Sequence, residues 1–119
     1  MVVSTTINDI NRLQRLYTSG FHDPFLDHAV RKIIDHQIAR DQADLLEINE
    51  TLVEFEQQYS LNSDEFWERF QLGQMADTID FMEWNAFCRM RQRILERLQI
   101  LQGGESSVRG PPIWLRNEN

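Results

Sequence analysis

The side chains of this chain that could perform chemistry are three histidines, one cysteine and a few acids near residue 80. His22, His28 and His36 are six and eight residues apart, so none of these spacings makes the His-x-x-x-His pair of a zinc site. Cys88 falls within an apolar helical stripe, where a buried and unreactive thiol is the usual finding. These four residues therefore predict neither a metal site nor a nucleophile.

Asp77, Asp80 and Glu83 could in principle supply paired carboxylates for general acid–base catalysis. Their position has a simpler explanation, because acids in the first turns of a helix stabilise its positive end. Asp23 likewise stands directly before Pro24, as a helix cap does. The chain contains no glycine-rich phosphate loop, GxSxG turn or CxxC pair. The sequence predicts a protein that is not an enzyme and that binds no cofactor and no metal.

Helical signals occupy most of the chain and predict an all-α fold. Apolar residues recur every three or four positions over about 6–18, and Ser19-Gly20 ends this first helix. A second helix runs over 24–59 without an internal glycine or proline, and its seam alternates steps of three and four residues as in a coiled coil. That seam is expected to serve a helical hairpin or a dimer, and it consists of Leu45, Ile48, Leu52, Phe55 and Tyr59.

Asp41 interrupts the same seam. A lone polar residue in a seam either fixes the register of packed helices or lets the helix bend. If the helix bends, the place where it would become two helices lies between Ala39 and Gln42.

An aromatic segment follows, in which the 26 residues of 59–84 hold half of the twelve aromatic side chains. Asn62 and Glu65 have the spacing of a capping box, and Gly73 suits the left-handed end of a helix. These signals predict a short helix over 63–72 and a last helix over 78–102 that lies antiparallel to the seam. The core of this corner is expected to be formed by Phe66, Phe70, Phe81 and Trp84.

The aromatic segment is similar to a known family. Its residues YSLNSDEF at 59–66, Gly73 and DFMEW at 80–84 resemble small helical prokaryotic proteins that are encoded beside TumE-type toxins and presumed to be antitoxins. The resemblance covers roughly 45–101, and Ser60 stands where that family usually has glycine. It implies a protein that binds and masks a toxin, although most of the motif residues are structural.

The net charge of −7 is concentrated in one part of the chain. Residues 1–36 hold four bases and four acids, 37–66 hold one base and eight acids, and 67–119 hold seven of each. Nucleic-acid binding depends on Lys and Arg, so this balance argues against nucleic acid and favours a basic protein partner. The alternative is a solvated helix face. The acids expected to contact the partner are Asp44, Glu47, Glu50 and Glu54.

Four arginines of the last helix would face the acids of 44–56 in an antiparallel hairpin. We interpret this arrangement as charge matching within a chain or between subunits. The four residues are Arg89, Arg91, Arg93 and Arg97.

The residues after the last helix have no periodicity and predict a flexible tail over 103–119. Within the tail, three apolar side chains and an arginine follow a stiff proline pair, which is the composition of a docking motif. The motif either binds the partner or folds back on its own subunit. It consists of Ile113, Trp114, Leu115 and Arg116.

A chain of 119 residues predicts one helical domain, over 1–102, whose modest core favours a homodimer. One cysteine and the lack of a signal-peptide pattern or long apolar run predict a cytoplasmic protein without a membrane span. Three functions remain open. The chain is an antitoxin-like neutraliser of a basic, nuclease-like toxin, a homodimeric scaffold without a toxin, or a DNA-binding autorepressor, which its acidity disfavours most.

Overall fold

The computed structural model describes residues 2–103 and the side chains of 4–103. The described residues form four α-helices and no strand, which confirms the predicted all-α fold. α1 spans Val2–Thr18, α2 spans Pro24–Tyr59, α3 spans Ser63–Gln71 and α4 spans Ile79–Leu101. α1 begins four residues before its predicted start, because no glycine or proline interrupts the chain there. The other boundaries agree with the prediction to within one residue.

The contacts within the chain divide its described residues into two compact units, one up to Asp35 and the other from His36 onward. The first unit holds α1 and the start of α2, and the second holds the rest of α2 together with α3 and α4. A division by contacts does not show whether each unit folds alone, so the single domain over 1–102 stays a prediction.

Tyr17 joins α1 to the start of α2 within the first unit. Its hydroxyl lies 2.6 Å from Asp27 Oδ1 and 3.1 Å from the carbonyl oxygen of Asp23. Asp23 Oδ2 accepts a hydrogen bond from the backbone N–H of Leu26 at 3.0 Å. Asp23 therefore caps α2 through its side chain, and its backbone helps to hold Tyr17.

In the second unit, α2 and α4 run antiparallel. Asp41 of α2 pairs with Arg97 near the end of α4, and Tyr59 at the end of α2 donates to Asp80 near the start of α4. Contacts that join opposite ends of two helices require the helices to run in opposite directions. The core between them, closed at one end by α3, consists of Ile48, Leu52, Phe55, Phe66, Trp84, Cys88, Ile94 and Leu98.

Side-chain caps determine where α3 and α4 begin. Asn62 Oδ1 accepts from the backbone N–H of Glu65 at 2.8 Å, as predicted. The Glu65 carboxylate pairs with Arg69 instead of completing a capping box. Thr78 Oγ1 accepts from the backbone N–H of Phe81 at 3.1 Å and starts α4. Local capping, which is readable from sequence, therefore fixes both helix starts.

α2 continues through Asp41 as a single helix, in agreement with the predicted span of 24–59, so the helix is not divided between Ala39 and Gln42. The carboxylate of Asp41 accepts hydrogen bonds from the side chains of Gln37 and Arg97. Because these side-chain donors occupy the carboxylate, it does not compete for the backbone hydrogen bonds of the helix.

Ser60, in the turn between α2 and α3, has a left-handed backbone with φ 52°. A residue with a Cβ atom is strained in this region, and glycine is not. We expect Ser60→Gly to raise the free energy of unfolding by roughly 0.5 kcal/mol, because the relief of strain exceeds the extra chain entropy that glycine adds to the unfolded state. The midpoint of urea unfolding measures this change.

Gly73 provides the matched opposite substitution, since it ends α3 with φ 76°. Gly73→Ala should lower the free energy of unfolding by about 1 kcal/mol, because alanine is strained where glycine is not. A Ser60→Gly protein that is no more stable than the parent would show that the turn between α2 and α3 holds little strain.

Candidate interaction surface

Trp84 is the centre of the core in the second unit. Its fully buried ring is stacked between Phe55 of α2 and Phe66 of α3, with centroid distances of 5.4 and 3.9 Å and interplanar angles of 11° and 3°. Its indole Nε1 donates to Ser63 Oγ at 3.0 Å, and that hydroxyl is also buried. One side chain thus holds α2, α3 and α4 together and keeps the other surfaces of α2 fixed in position.

The seam and corner residues identified from sequence lie in or against this core. Of the seam, Ile48, Leu52 and Phe55 are buried, and Leu45 and Tyr59 are half-buried. Of the corner, Phe66 and Trp84 are fully buried, and Phe70 and Phe81 are half-buried around them. In this chain the seam packs against α3 and α4, and the surfaces open to a partner lie elsewhere on α2.

A buried ion pair joins α2 to the last turns of α4. Arg97 Nε and Nη2 donate to Asp41 Oδ2 and Oδ1, both at 2.8 Å, and Gln37 Nε2 donates to Oδ1 at 2.9 Å. Asp41 is 1% exposed, whereas the side chain of Arg97 is 48% exposed. The hydrogen bonds from Arg97 lower the pKa of Asp41 below its ordinary 3.8, although burial acts in the opposite direction. The same contact raises the pKa of Arg97.

Two of the four arginines of α4 pair with acids outside the predicted range 44–56. Arg91 binds Asp64 at 2.6 Å, and Arg97 binds Asp41. Arg93 makes no ion pair within the described residues. Charge matching therefore occurs inside the chain, but within residues 4–103 the exposed acids Asp44, Glu47, Glu50 and Glu54 make no ion pair.

The four acids expected to contact a partner are all exposed, and none of them makes an ion pair within residues 4–103. They do not form one surface. Asp44 and Glu47 line an open groove of about 550 Å³ between α2 and α4, together with Arg93. Glu50 and Glu54 point away from the core, because a rotation of 100° per residue places them opposite the seam.

Two exposed apolar side chains accompany Glu50 and Glu54. Leu46 and Val53 are 68% and 45% exposed, and all four residues border one shallow depression on α2. We call Leu46, Glu50, Val53 and Glu54 the outer face. Apolar area next to unpaired carboxylates combines the contact surface and the charge that protein interfaces use.

Sequence reasoning identified the acids of the outer face but missed Leu46 and Val53. The signal that could have found them is their separation of seven residues, or two helical turns, outside the seam. An apolar pair that lies outside the seam has no place in the hairpin core, so it belongs to the surface.

Three of the residues first considered for chemistry, His22, Asp80 and Cys88, make structural contacts. Cys88 is buried, and burial raises the pKa of its thiol to about 11, so the thiol is protonated at neutral pH. His22 Nε2 lies 3.0 Å from Asp27 Oδ2. Asp80 accepts a hydrogen bond from Tyr59, and this bond raises the pKa of Tyr59. Within residues 4–103, no three His, Cys, Asp or Glu side chains are grouped as a metal site.

The predicted docking motif, Ile113, Trp114, Leu115 and Arg116, lies outside the described residues and stays a prediction. Among the described helices, none has both the length and the apolar content that a membrane span requires. Comparison of the chain with protein families, curated proteins and solved structures found no match. The functional argument therefore depends on the geometry of α2.

Proposed function

We propose that this chain is a protein-interaction module that binds a basic protein through the outer face of α2 and masks the active surface of that protein, as an antitoxin-like neutraliser does. The observation that carries the proposal is the outer face itself. Glu50 and Glu54 are exposed there and make no ion pair within residues 4–103, and Leu46 and Val53 are exposed beside them.

The position of the outer face on α2 suits tight binding. Toward the start of the acidic region, α2 is held to α4 by the pair of Asp41 and Arg97, and toward its end by the stacking of Phe55 on Trp84. The surface between these two anchors is formed before a partner arrives. Binding to a preformed surface avoids the entropy cost of ordering it, so more of the contact energy appears as affinity.

The charge of this face indicates the chemistry of the partner. Residues 37–66 carry eight acids and one base, so they attract a protein with a basic surface and repel phosphate. A nuclease binds its substrate with Lys and Arg side chains, and an acidic helix placed against them would exclude nucleic acid. The resemblance to antitoxins beside TumE-type toxins supports the same partner class. We place this activity in the cytoplasm, where a lone free thiol such as Cys88 remains reduced.

A second candidate function is a homodimeric scaffold without a toxin. It is favoured by the exposed apolar side chains of α1, which include Ile7, Ile10 and Leu13. The two functions differ in what they require of α2. A homodimeric scaffold does not need Glu50 and Glu54 on the outer face, whereas a neutraliser needs them to bind its basic partner.

Reversing the charge of the outer face should abolish partner binding. We expect the double variant Glu50→Arg/Glu54→Arg to lose a small basic protein that the parent chain captures in near-equal amount from the lysate of its own host, because two attractive contacts become repulsive. Quantitative mass spectrometry of the captured proteins measures this loss. A second bait that ends at Gly103 tests whether 104–119 also contribute.

The matched control is Glu68→Arg/Glu96→Arg, which makes the same change in net charge at two exposed positions of α3 and α4. This control should still capture the protein. If both double variants captured equal amounts of the protein, capture would not depend on which acids are replaced. The outer face would then not be the surface that binds the basic protein. Capture of no basic protein by the parent chain would favour the scaffold.

A further inference from the structure

The groove between α2 and α4 is a second open surface of the second unit, separate from the outer face. Its volume is about 550 Å³. Of its apolar lining, Ile48 and Ile94 are buried, Phe87 is half-buried, and Met90 is 40% exposed. Apolar grooves of about 300–1,000 Å³ with a few polar groups are typical binding sites. The groove therefore suits a short segment that offers large apolar side chains.

The charges of the lining match a segment that carries one base. Its acids are Asp44 and Glu47, on the α2 side. Its remaining base is Arg93, on the α4 side, since Arg97 is already held in its ion pair. Two acids against one base leave an excess of negative charge, which Arg116 of the docking motif would balance. A strongly basic protein would be repelled by Arg93, so the groove suits the docking motif better than the partner of the outer face.

The groove lies within reach of the chain that follows α4. Gly103 has a left-handed backbone with φ 91°, which turns the chain away from the helix axis. At a rise of 1.5 Å per residue, Ile94 lies about 10 Å before Leu101 along α4, and Phe87 lies about 21 Å before it. The eleven residues that lead from Gly103 to Trp114 can span at most about 36–40 Å. Trp114 can therefore reach every part of the groove.

The docking motif has the composition that such a groove binds. Ile113, Trp114 and Leu115 follow the proline pair, and tryptophan is among the residues that contribute most to binding at interfaces. The fixed φ of the two prolines reduces the entropy that docking costs. Covalent attachment to α4 also gives the motif an effective concentration on the order of millimolar, so modest contacts are enough to hold it.

The register of the two helices places an acid where Arg116 would lie. Because Arg97 faces its carboxylate partner and the helices run antiparallel, Glu47 is level with about the sixth residue before Arg97. Arg116 follows Trp114 by two residues, or about 6–7 Å in an extended chain, the length of about four helical residues. An indole packed near Ile94 therefore brings Arg116 close to Glu47.

We propose that the docking motif folds back into the groove of its own chain. Trp114 then packs against Met90, and Arg116 lies beside Glu47. This inference goes beyond the proposed function and does not depend on it, because the groove and the outer face are lined by different residues of α2. A docked motif covers the apolar groove and leaves the outer face open to a partner.

Amide hydrogen exchange of the full chain, followed by mass spectrometry, tests the proposal. The amides of 113–116 should exchange at least about tenfold more slowly in the parent chain than in a synthetic peptide of residues 104–119. Met90→Asp should abolish this protection, because it places a carboxylate against the indole. Glu47→Arg should reduce the protection at least about threefold, because an attractive contact becomes repulsive.

Met82→Asp and Glu68→Arg are the matched controls, since Met82 is 56% exposed on α4, Glu68 is exposed on α3, and neither lines the groove. Both should leave the protection unchanged, and circular dichroism at 222 nm should show that every variant remains helical. A parent chain whose amides at 113–116 exchange as fast as those of the peptide would overturn the proposal. So would a Met90→Asp protein that is as protected as the parent.

Dilution distinguishes a motif in the groove of its own chain from a motif that docks on a second copy. Protection within one chain does not depend on protein concentration, so it should persist over about a hundredfold dilution of the parent. Protection that is lost on dilution would place the motif on a second copy and would contradict docking within the chain.

Discussion

Replacing Trp84 with alanine should lower the free energy of unfolding by about 3–5 kcal/mol, the largest effect expected of any single substitution in the chain. Trp84 is fully buried, stacks on both Phe55 and Phe66, and donates to the buried hydroxyl of Ser63. Its removal leaves a large cavity at the point where three helices meet. Because small domains are stable by only about 5–15 kcal/mol, this loss removes a large fraction of the stability of the second unit.

Urea unfolding followed by circular dichroism at 222 nm measures the change. Trp84→Phe separates the two contributions of the side chain, since it keeps much of the stacking but leaves Ser63 Oγ without its donor, a loss of about 1–3 kcal/mol. Met82→Ala is the control, because Met82 lies on the same helix and is 56% exposed. It should change stability by less than about 0.5 kcal/mol. If Trp84→Ala were as mild as Met82→Ala, Trp84 would not be the centre of the core.

Replacing Arg97 with methionine should lower the thermal midpoint at pH 7 by about 10 °C, the second largest effect that we expect. The substitution keeps the aliphatic part of the side chain but leaves the buried carboxylate of Asp41 with Gln37 as its remaining donor. A buried charge without its counter-ion is costly. Differential scanning calorimetry measures the midpoint, and Arg93→Met, which breaks no ion pair of the described residues, should shift it by less than about 2 °C.

The ion pair of Asp41 and Arg97 also determines part of the stability that the folded chain loses in acid. The pKa of Asp41 is lower in the folded chain than its ordinary 3.8, so the pair stabilises the fold fully above that value. This stabilisation is lost as the pH falls below 3.8 and through the lower folded pKa. The double variant Asp41→Leu/Arg97→Met should recover most of the lost midpoint at pH 7 and should lose less stability than the parent in acid. A double variant as unstable as Arg97→Met would contradict the explanation by an unpaired charge.

Short-range features of the fold could be predicted from sequence, and long-range ones could not. The caps at Asn62 and Thr78 and the turn at Gly73 depend on residues at most four positions apart, so their signals are visible in the chain itself. The partner of Asp41 lies 56 residues away, and its identity depends on the register between α2 and α4. Because the sequence pattern did not fix that register, the sequence left open whether Asp41 fixes the register of packed helices or bends α2.

The candidate interaction surface could also be predicted only in part from sequence. Composition located the acidic excess within 37–66, but the division of its acids between the groove and the outer face depends on helical rotation and on what α4 covers. Burial in the structure was also needed to show that Leu46 and Val53 remain exposed beside Glu50 and Glu54.

The most direct test of the central claim, that the outer face of α2 neutralises a basic toxin, is a growth assay. The basic protein that the parent chain is expected to capture from the lysate of its host is expressed alone, with the parent chain, with Glu50→Arg/Glu54→Arg, or with the control Glu68→Arg/Glu96→Arg. We predict that growth is arrested by the basic protein alone, restored by the parent and the control, and not restored by the outer-face variant. A basic protein that does not arrest growth, or an outer-face variant that protects as well as the parent, would contradict the claim.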